Sequence, residues 1–438
     1  MFLLLALPFG TLFTFITPPL QVPDEDDHFF RAYQVSEGHL TQTWLGNQTG
    51  GFQPKSLLAF QAQVSQDLRF HPSVKQSIPT LLAMRKMPLR TDDRAFVQFP
   101  WYSPTNYFAS AAGIAVARLF GGGPLALIYA GRLGNLLLWS ALIYTAISLT
   151  PLLQWTFFLL ALMPMSLWLA SSLSADATVN GACFLFVAVT LRFALRPEPI
   201  TRRRLAALLT LGAAVALAKT AYLPITLLLL LIPPAKFGGR GRYVLVFVGF
   251  VAAVFAINFG WTEYTYRDFL HSDASPMTQL VMRLHHPVGV LRAYVGQLFS
   301  IAFLCSIVGK LGWYDTRLAR PMVAVYVAML AWTTRMGRRG EDSPVMLGAG
   351  QKLIIGIAAI GIWLAVFLVA DLAFTHAGNE GISSLQGRYL IPLTPLVFLL
   401  ICPSPRSRVR DRGLVMGGFS AGFSVYVAVL LCLRYYVS

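Results

Sequence analysis

Four consecutive acids, Asp24-Glu25-Asp26-Asp27, run straight into His28, and Arg31 follows within one turn. The whole chain holds 19 Asp and Glu, so four in a row is a concentration. Residues three and four apart are neighbours on a helix, so a helical Asp24–Arg31 would place Asp24, Asp27, His28 and Arg31 on one face. Three chemistries are open to such a face: a carboxylate base, a His and carboxylate metal site, or an Arg that grips phosphate. Acids also favour the first turn of any helix, so the run alone reads equally well as a solvated helix start. Further along, isolated polar groups interrupt apolar sequence: Arg132 in Gly131-Arg132-Leu133, Asp176 after Ser174-Ala175, Lys219 with Tyr222, Trp313-Tyr314-Asp315, and Gln386-Gly387-Arg388-Tyr389.

The elements that must position these groups are membrane helices. Of 438 residues, 56% are hydrophobic and 12% charged, and long apolar runs recur from end to end. That excludes soluble domains and predicts an all-α polytopic membrane protein, with residues 1–438 as a single membrane domain. The net charge of +16 does not call for nucleic acid, because Lys and Arg collect in cytoplasmic loops. Cys183, Cys305, Cys402 and Cys432 lie in or beside apolar runs without metal or disulfide spacing. The first run, Phe2–Ile16, lacks a basic leader and a small-residue cleavage site, and reads as a retained helix.

Residues 20–102 are the longest polar region, read as a large first extracytoplasmic loop with amphipathic helices that carries the acidic motif. The short basic loops Arg196–Arg204, Lys236–Arg242, Arg335–Lys352 and Arg406–Arg412 are assigned to the cytoplasm. Parity between these loops makes the runs at 103–120 and 288–308 re-entrant or juxtamembrane, and leaves about eleven transmembrane helices. All the isolated polar groups then face the same side as Asp24 and Glu25. Charges near membrane depth mark functional sites by default, against the plainer reading of each as a snorkelling helix end.

These segments also resemble a known family. Pro23-Asp24-Glu25 with His28 and Arg31-Ala32-Tyr33-Gln34, Gly131-Arg132-Leu133, Ser174-Ala175-Asp176, Lys219-Thr220-Ala221-Tyr222, Gly312-Trp313-Tyr314-Asp315 and Gln386-Gly387-Arg388-Tyr389-Leu390-Ile391-Pro392 are similar, in this order, to a bacterial family of multispanning membrane proteins known as domain of unknown function 2142. The resemblance covers nearly the whole chain, and the family in turn resembles the GT-C superfamily of membrane glycosyltransferases. It implies a GT-C-like fold in the bacterial inner membrane, with the active site facing the periplasm. It further implies inverting transfer from a polyprenyl-phosphate sugar donor to a glycan or lipid acceptor of the cell envelope. One departure is visible: Tyr102-Ser103-Pro104-Thr105-Asn106-Tyr107 stands where the resemblance leads one to expect a Pro-Pro-Leu-Tyr-Tyr-like stretch.

The residue types suit that chemistry on their own terms. A carboxylate must take the acceptor's proton, cations must stabilise the leaving phosphate, and an apolar groove must hold the prenyl chain. Asp24 is the expected base, with Glu25 second. Arg388 is the expected phosphate ligand because its planar fork matches phosphate oxygens, with Lys219, Arg132 and Arg31 as further cations and Tyr222, Tyr389 and Gln386 beside them. Asp24, Glu25, His28 and Asp176 are candidate ligands for a divalent metal, Mg or Mn. The partners expected are the donor, the acceptor and membrane lipids. A transporter or flippase of lipid-linked sugars would use the same groups, though the internal repeats typical of transporters are missing. A ligase or polymerase of lipid-linked glycans is not separated from single-sugar transfer. His285-His286 is set aside as a metal pair, since adjacent residues do not face each other on a helix.

Overall fold

The computed structural model describes the chain except for residues 47, 66–67, 100–101, 271–279, 282, 337–345, 375–384, 403–411 and 438. Trp101 and most of the basic loops Arg335–Lys352 and Arg406–Arg412 therefore lie outside the described residues.

The first apolar helix, α1 (Phe2–Ile16), ends before Thr17-Pro18-Pro19, where proline restrains the preceding residue from helical backbone. The acidic helix α2 (Glu25–Ser36) follows. The rest of the first polar region is β1 (Thr43–Leu45), β2 (Gln48–Pro54), α3 (Lys55–Ser65), α4 (Ile78–Met84) and β3 (Arg94–Gln98). The three strands form an antiparallel sheet in the order β1-β2-β3. This sheet departs from the all-α expectation. Its central strand contains Gly50-Gly51, and a Cβ on Gly50 would collide with the Val97 carbonyl across the ladder, so glycine permits the pairing. The sheet backs α2: Gln34 donates to the Gly50 carbonyl at 3.4 Å, Gln53 to the Phe30 carbonyl at 3.2 Å, and Arg94 forks onto Glu37 at 2.9 and 2.5 Å. Phe29, Phe30 and Tyr33 pack with Leu57, Phe60, Ile114 and Leu127 in one buried cluster.

Among the described residues five helices are long and apolar enough to cross a membrane: α6 (Pro124–Leu149), α9 (Asp176–Leu195), α11 (Arg240–Leu270), α15 (Ala349–Phe374) and α17 (Gly413–Tyr435). A sixth crossing is available if the pair α12 (Pro287–Leu298) and α13 (Ile301–Gly309), bent by 56°, counts as one span. The remaining apolar runs are shorter. α5 (Phe108–Leu119) has 12 residues, about 18 Å of helix, too little for a ~30 Å core. α10 (Arg202–Ala218) and α14 (Arg320–Thr333) are separate short helices. The apolar stretch 152–172 breaks into α7 (Gln154–Ala161) and α8 (Pro164–Ala170) at Pro164, and α16 (Thr394–Ile401) is preceded by a 3-10 stretch, Gly387–Leu393. Among the described residues, proline and polar breaks cut several of the other apolar runs below crossing length as single helices.

The breaks are where the site is made. Lys219 sits in extended backbone between α10 and a 3-10 stretch, Thr220–Leu231, that contains Pro224. Asp176 opens α9 just after the Ser171–Ala175 turn. Arg388 lies in the 3-10 stretch before α16. Irregular backbone at membrane depth is tolerated only where protein or a cavity satisfies it.

Candidate active site

Asp24 is the N-cap of α2 and adopts a left-handed conformation, φ 63° and ψ 14°, with no side-chain capping bond. Such backbone in a non-glycine residue costs about 1 kcal/mol or more and clusters at functional sites. It turns the carboxylate away from its own helix: Oδ2 accepts from Arg388 Nη2 at 2.7 Å, and the side chain stays 44% exposed while that of Arg388 is 4% exposed. Arg388 Nη1 donates to the Pro23 carbonyl at 3.4 Å, and its guanidinium lies 5.2 Å from the Tyr389 ring centroid. Nε is 3.5 Å from Asp176 Oδ2 but makes no hydrogen bond, and is a buried donor without a partner. Asp176 Oδ1 accepts from Lys219 Nζ at 2.9 Å, and Nζ also lies 4.4 Å from the Tyr389 ring centroid. Tyr222 donates its hydroxyl to the Tyr389 carbonyl at 2.9 Å. The structure thus brings together Asp24, Asp176, Lys219, Tyr222, Arg388 and Tyr389, from four separate stretches of chain. Gln386 precedes them with its Oε1 buried and unpartnered.

Three expected site residues are drawn into bonds of their own instead. Glu25 and Arg132 have no exposed side-chain surface and form a bidentate pair at 2.8 and 2.6 Å. The three remaining Arg132 donors go to the carbonyls of Thr14 at 2.8 Å, Thr17 at 2.7 Å and Pro18 at 3.0 Å. All five guanidinium hydrogens are taken, and carbonyls at the end of α1 gain the partners that a helix terminus lacks. Glu25 Oε1 also accepts from the Leu173 amide at 3.1 Å. Arg132 has no donor left for a ligand, and Glu25, with no exposed side-chain surface, is closed off from one. Arg31, 1% exposed, donates to the carbonyls of Tyr102, His39 and Leu40 and to Gln34 Oε1. Burial pulls its pKa down to about 10. Asp27, His28 and Arg31 lie within α2, whereas Asp24 is its left-handed N-cap and stands outside the helix.

The four candidate metal ligands are parted for the same reason. Glu25 faces Arg132, while Asp24 and Asp176 face cations. His28 Nδ1 is bonded to the Tyr107 hydroxyl at 2.8 Å. Burial, the largest influence, holds the His28 pKa down at about 4, so the ring is neutral near pH 7. Among the described residues no three of His, Cys, Asp and Glu are grouped to hold an ion, and these side chains as arranged do not fit a resident metal.

Several contributors were not singled out from the sequence. Tyr107 anchors His28, and Asn106 donates to the Ala218 carbonyl at 2.8 Å, just before Lys219. Both come from the Tyr102–Tyr107 stretch, which the sequence reading set apart from the resemblance. Arg69 bonds Asp26 at 2.8 Å and lies 4.0 Å over the Trp313 ring. Asp27, half-buried beside Asp26 and Asp24, has its pKa pushed up to about 7, chiefly by burial and then by those two neighbours.

A family described as "Predicted membrane protein (DUF2142)" matches residues 7–397. The chain belongs to this family. No curated protein matches the chain. Two solved structures align along nearly its whole length. ArnT from Cupriavidus metallidurans bound to undecaprenyl phosphate is 16% identical, with 98% of this chain and 69% of that chain covered, at a TM-score of 0.47. The same protein in the apo state is 14% identical, with 99% and 76% covered, at a TM-score of 0.39. Both scores are too low for argument from the likeness, and the DUF2142 membership rests on the sequence match.

Proposed function

We propose that this DUF2142 protein is a GT-C-type membrane glycosyltransferase that moves a sugar from a polyprenyl-phosphate donor to a hydroxyl of a cell-envelope glycan or lipid. What carries the reading is one arrangement: an exposed carboxylate, Asp24, set in left-handed backbone directly on a buried arginine, Arg388, with the Lys219–Asp176 pair alongside. Asp24 takes the proton of the acceptor hydroxyl as its oxygen attacks the anomeric carbon. The bond from that carbon to the phosphate oxygen breaks, its electron pair leaves on the phosphate, and configuration inverts. Arg388 and Lys219 stabilise the charge that develops there, where fixed cations in a dry site act most strongly. Tyr389 and Tyr222 hold the two cations in place.

The further assignments belong to the same proposal. The site faces the periplasm from the bacterial inner membrane, the basic loops lie in the cytoplasm, and the shorter helices and 3-10 stretches add crossings towards a total of about eleven. Residues 20–102 cover the site as the first extracytoplasmic loop.

The test is purified protein in liposomes that carry a polyprenyl-phosphate sugar and an envelope glycan extract. The expected outcome is free polyprenyl phosphate with the sugar recovered on the acceptor. Donor that crosses the bilayer intact, with no phosphate released, would favour a flippase and overturn the proposal.

A further inference from the structure

The hairpin between β4 (Lys310–Leu311) and β5 (Thr316–Arg317) follows α13 and turns through two left-handed residues, Gly312 at φ 62° and Tyr314 at φ 65°. At Gly312 a Cβ would collide with Asp315 Oδ1. Tyr314 is not glycine, so its backbone is strained and the surroundings must impose it. They do so on both sides. Asp315 Oδ2 accepts from Arg434 Nε at 2.8 Å and lies 2.7 Å from Nη2, while Trp313 Nε1 donates to the Leu20 carbonyl at 3.3 Å with Arg69 stacked on its ring. The pinned turn buries the Tyr314 hydroxyl, which finds no hydrogen-bond partner among the described residues. A buried, unpaired hydroxyl is costly. Arg388, then Tyr389, Asp24 and Asp176, act on it electrostatically, and Lys310 Nζ lies 5.0 Å from its ring centroid. Burial pushes its pKa above the usual phenol value, so it stays protonated and remains a donor. Arg388 Nε, in ion-pair range of Asp176, is a second buried donor without a hydrogen-bond partner among the described residues.

We propose that Tyr314 is a ligand residue whose hydroxyl donates a hydrogen bond to the anionic phosphate oxygens held by Arg388. This rests on the donor-phosphate reading above and adds to it a third wall, supplied by the hairpin.

The experiment measures dodecyl phosphate binding and the melting temperature of the ligand-free protein for wild type, Tyr314→Phe and Arg388→Ala. Tyr314→Phe should bind about tenfold more weakly or worse, as expected for losing a hydrogen bond to a charged group. Its ligand-free melting temperature should be unchanged or higher, because the lost hydroxyl had no partner. A purely structural hydroxyl would lower that temperature and leave binding intact, and either result overturns the assignment. If Arg388→Ala loses binding and Tyr314→Phe does not, only the role of Tyr314 falls. If wild type and Arg388→Ala bind alike, the phosphate reading falls with it.

Discussion

A carboxylate holds a structure together when its lone pairs are filled from within, and acts on a substrate when some are left open. Glu25 and Asp24 stand side by side on opposite sides of that line: Glu25 has no exposed surface and accepts from Arg132 and Leu173, while Asp24 is 44% exposed on Arg388. Glu25→Gln would leave Arg132 buried without its counter-charge, a change that typically costs about 3–5 kcal/mol. Unfolding in detergent should show the variant strongly destabilised, and a variant as stable as wild type but inactive would return Glu25 to the chemistry. His28 carries a pH prediction. Its folded pKa lies at about 4, below its ordinary 6.5, so the folded state disfavours the proton. Its contribution to stability is present above pH ~6.5 and is lost as pH falls towards ~4. His28→Asn should show a smaller acid loss across that window, and an unchanged stability profile would contradict the buried neutral ring. The acids and Arg388 were legible in the sequence as types out of place in apolar surroundings. Which of them are satisfied internally was not, because Thr14, Thr17 and Pro18 offer Arg132 only backbone carbonyls, and these leave no mark in side-chain spacing.

At the scale of elements, each site residue sits where an apolar run is interrupted. Lys219 parts α10 from the following 3-10 stretch, Asp176 opens α9, and Arg388 lies in the 3-10 stretch before α16. Gly387 serves packing here: a Cβ on it would lie 2.5 Å from the Ile307 amide nitrogen of α13. Glycine permits this close approach between two chain segments. Gly387→Ala should push the 3-10 stretch off α13, lower the melting temperature and weaken phosphate binding together. Normal binding and stability in that variant would show the contact to be dispensable. Apolar run length revealed the helical segments in the sequence; the breaks at Pro224 and Pro392 came from the structure. The three-stranded sheet was not legible, because Gly50-Gly51 and short polar strands carry no alternating pattern; they pair because glycine lets Val97 come close.

Across the whole molecule, the first polar region and the last helix contact each other. Arg434 near the end of α17 reaches Asp315 and the carbonyls of Leu68 and Val74, and Lys75 bonds the carbonyls of Leu433 and Arg434. Residues more than 350 positions apart thereby hold the hairpin and Arg69 against the acidic helix. Membrane class was legible from composition and run length, and family membership from the ordered motifs. The long-range closure was not, since a single Arg in a terminal helix reads as a snorkelling end. The central claim is that Asp24 is the base, and the most direct test is the turnover of Asp24→Asn with a polyprenyl-phosphate sugar donor. The substitution keeps the shape and removes the carboxylate. With the protein folded and inserted as in wild type, turnover should fall by about 10²- to 10⁴-fold. Near-normal turnover in Asp24→Asn would contradict the account.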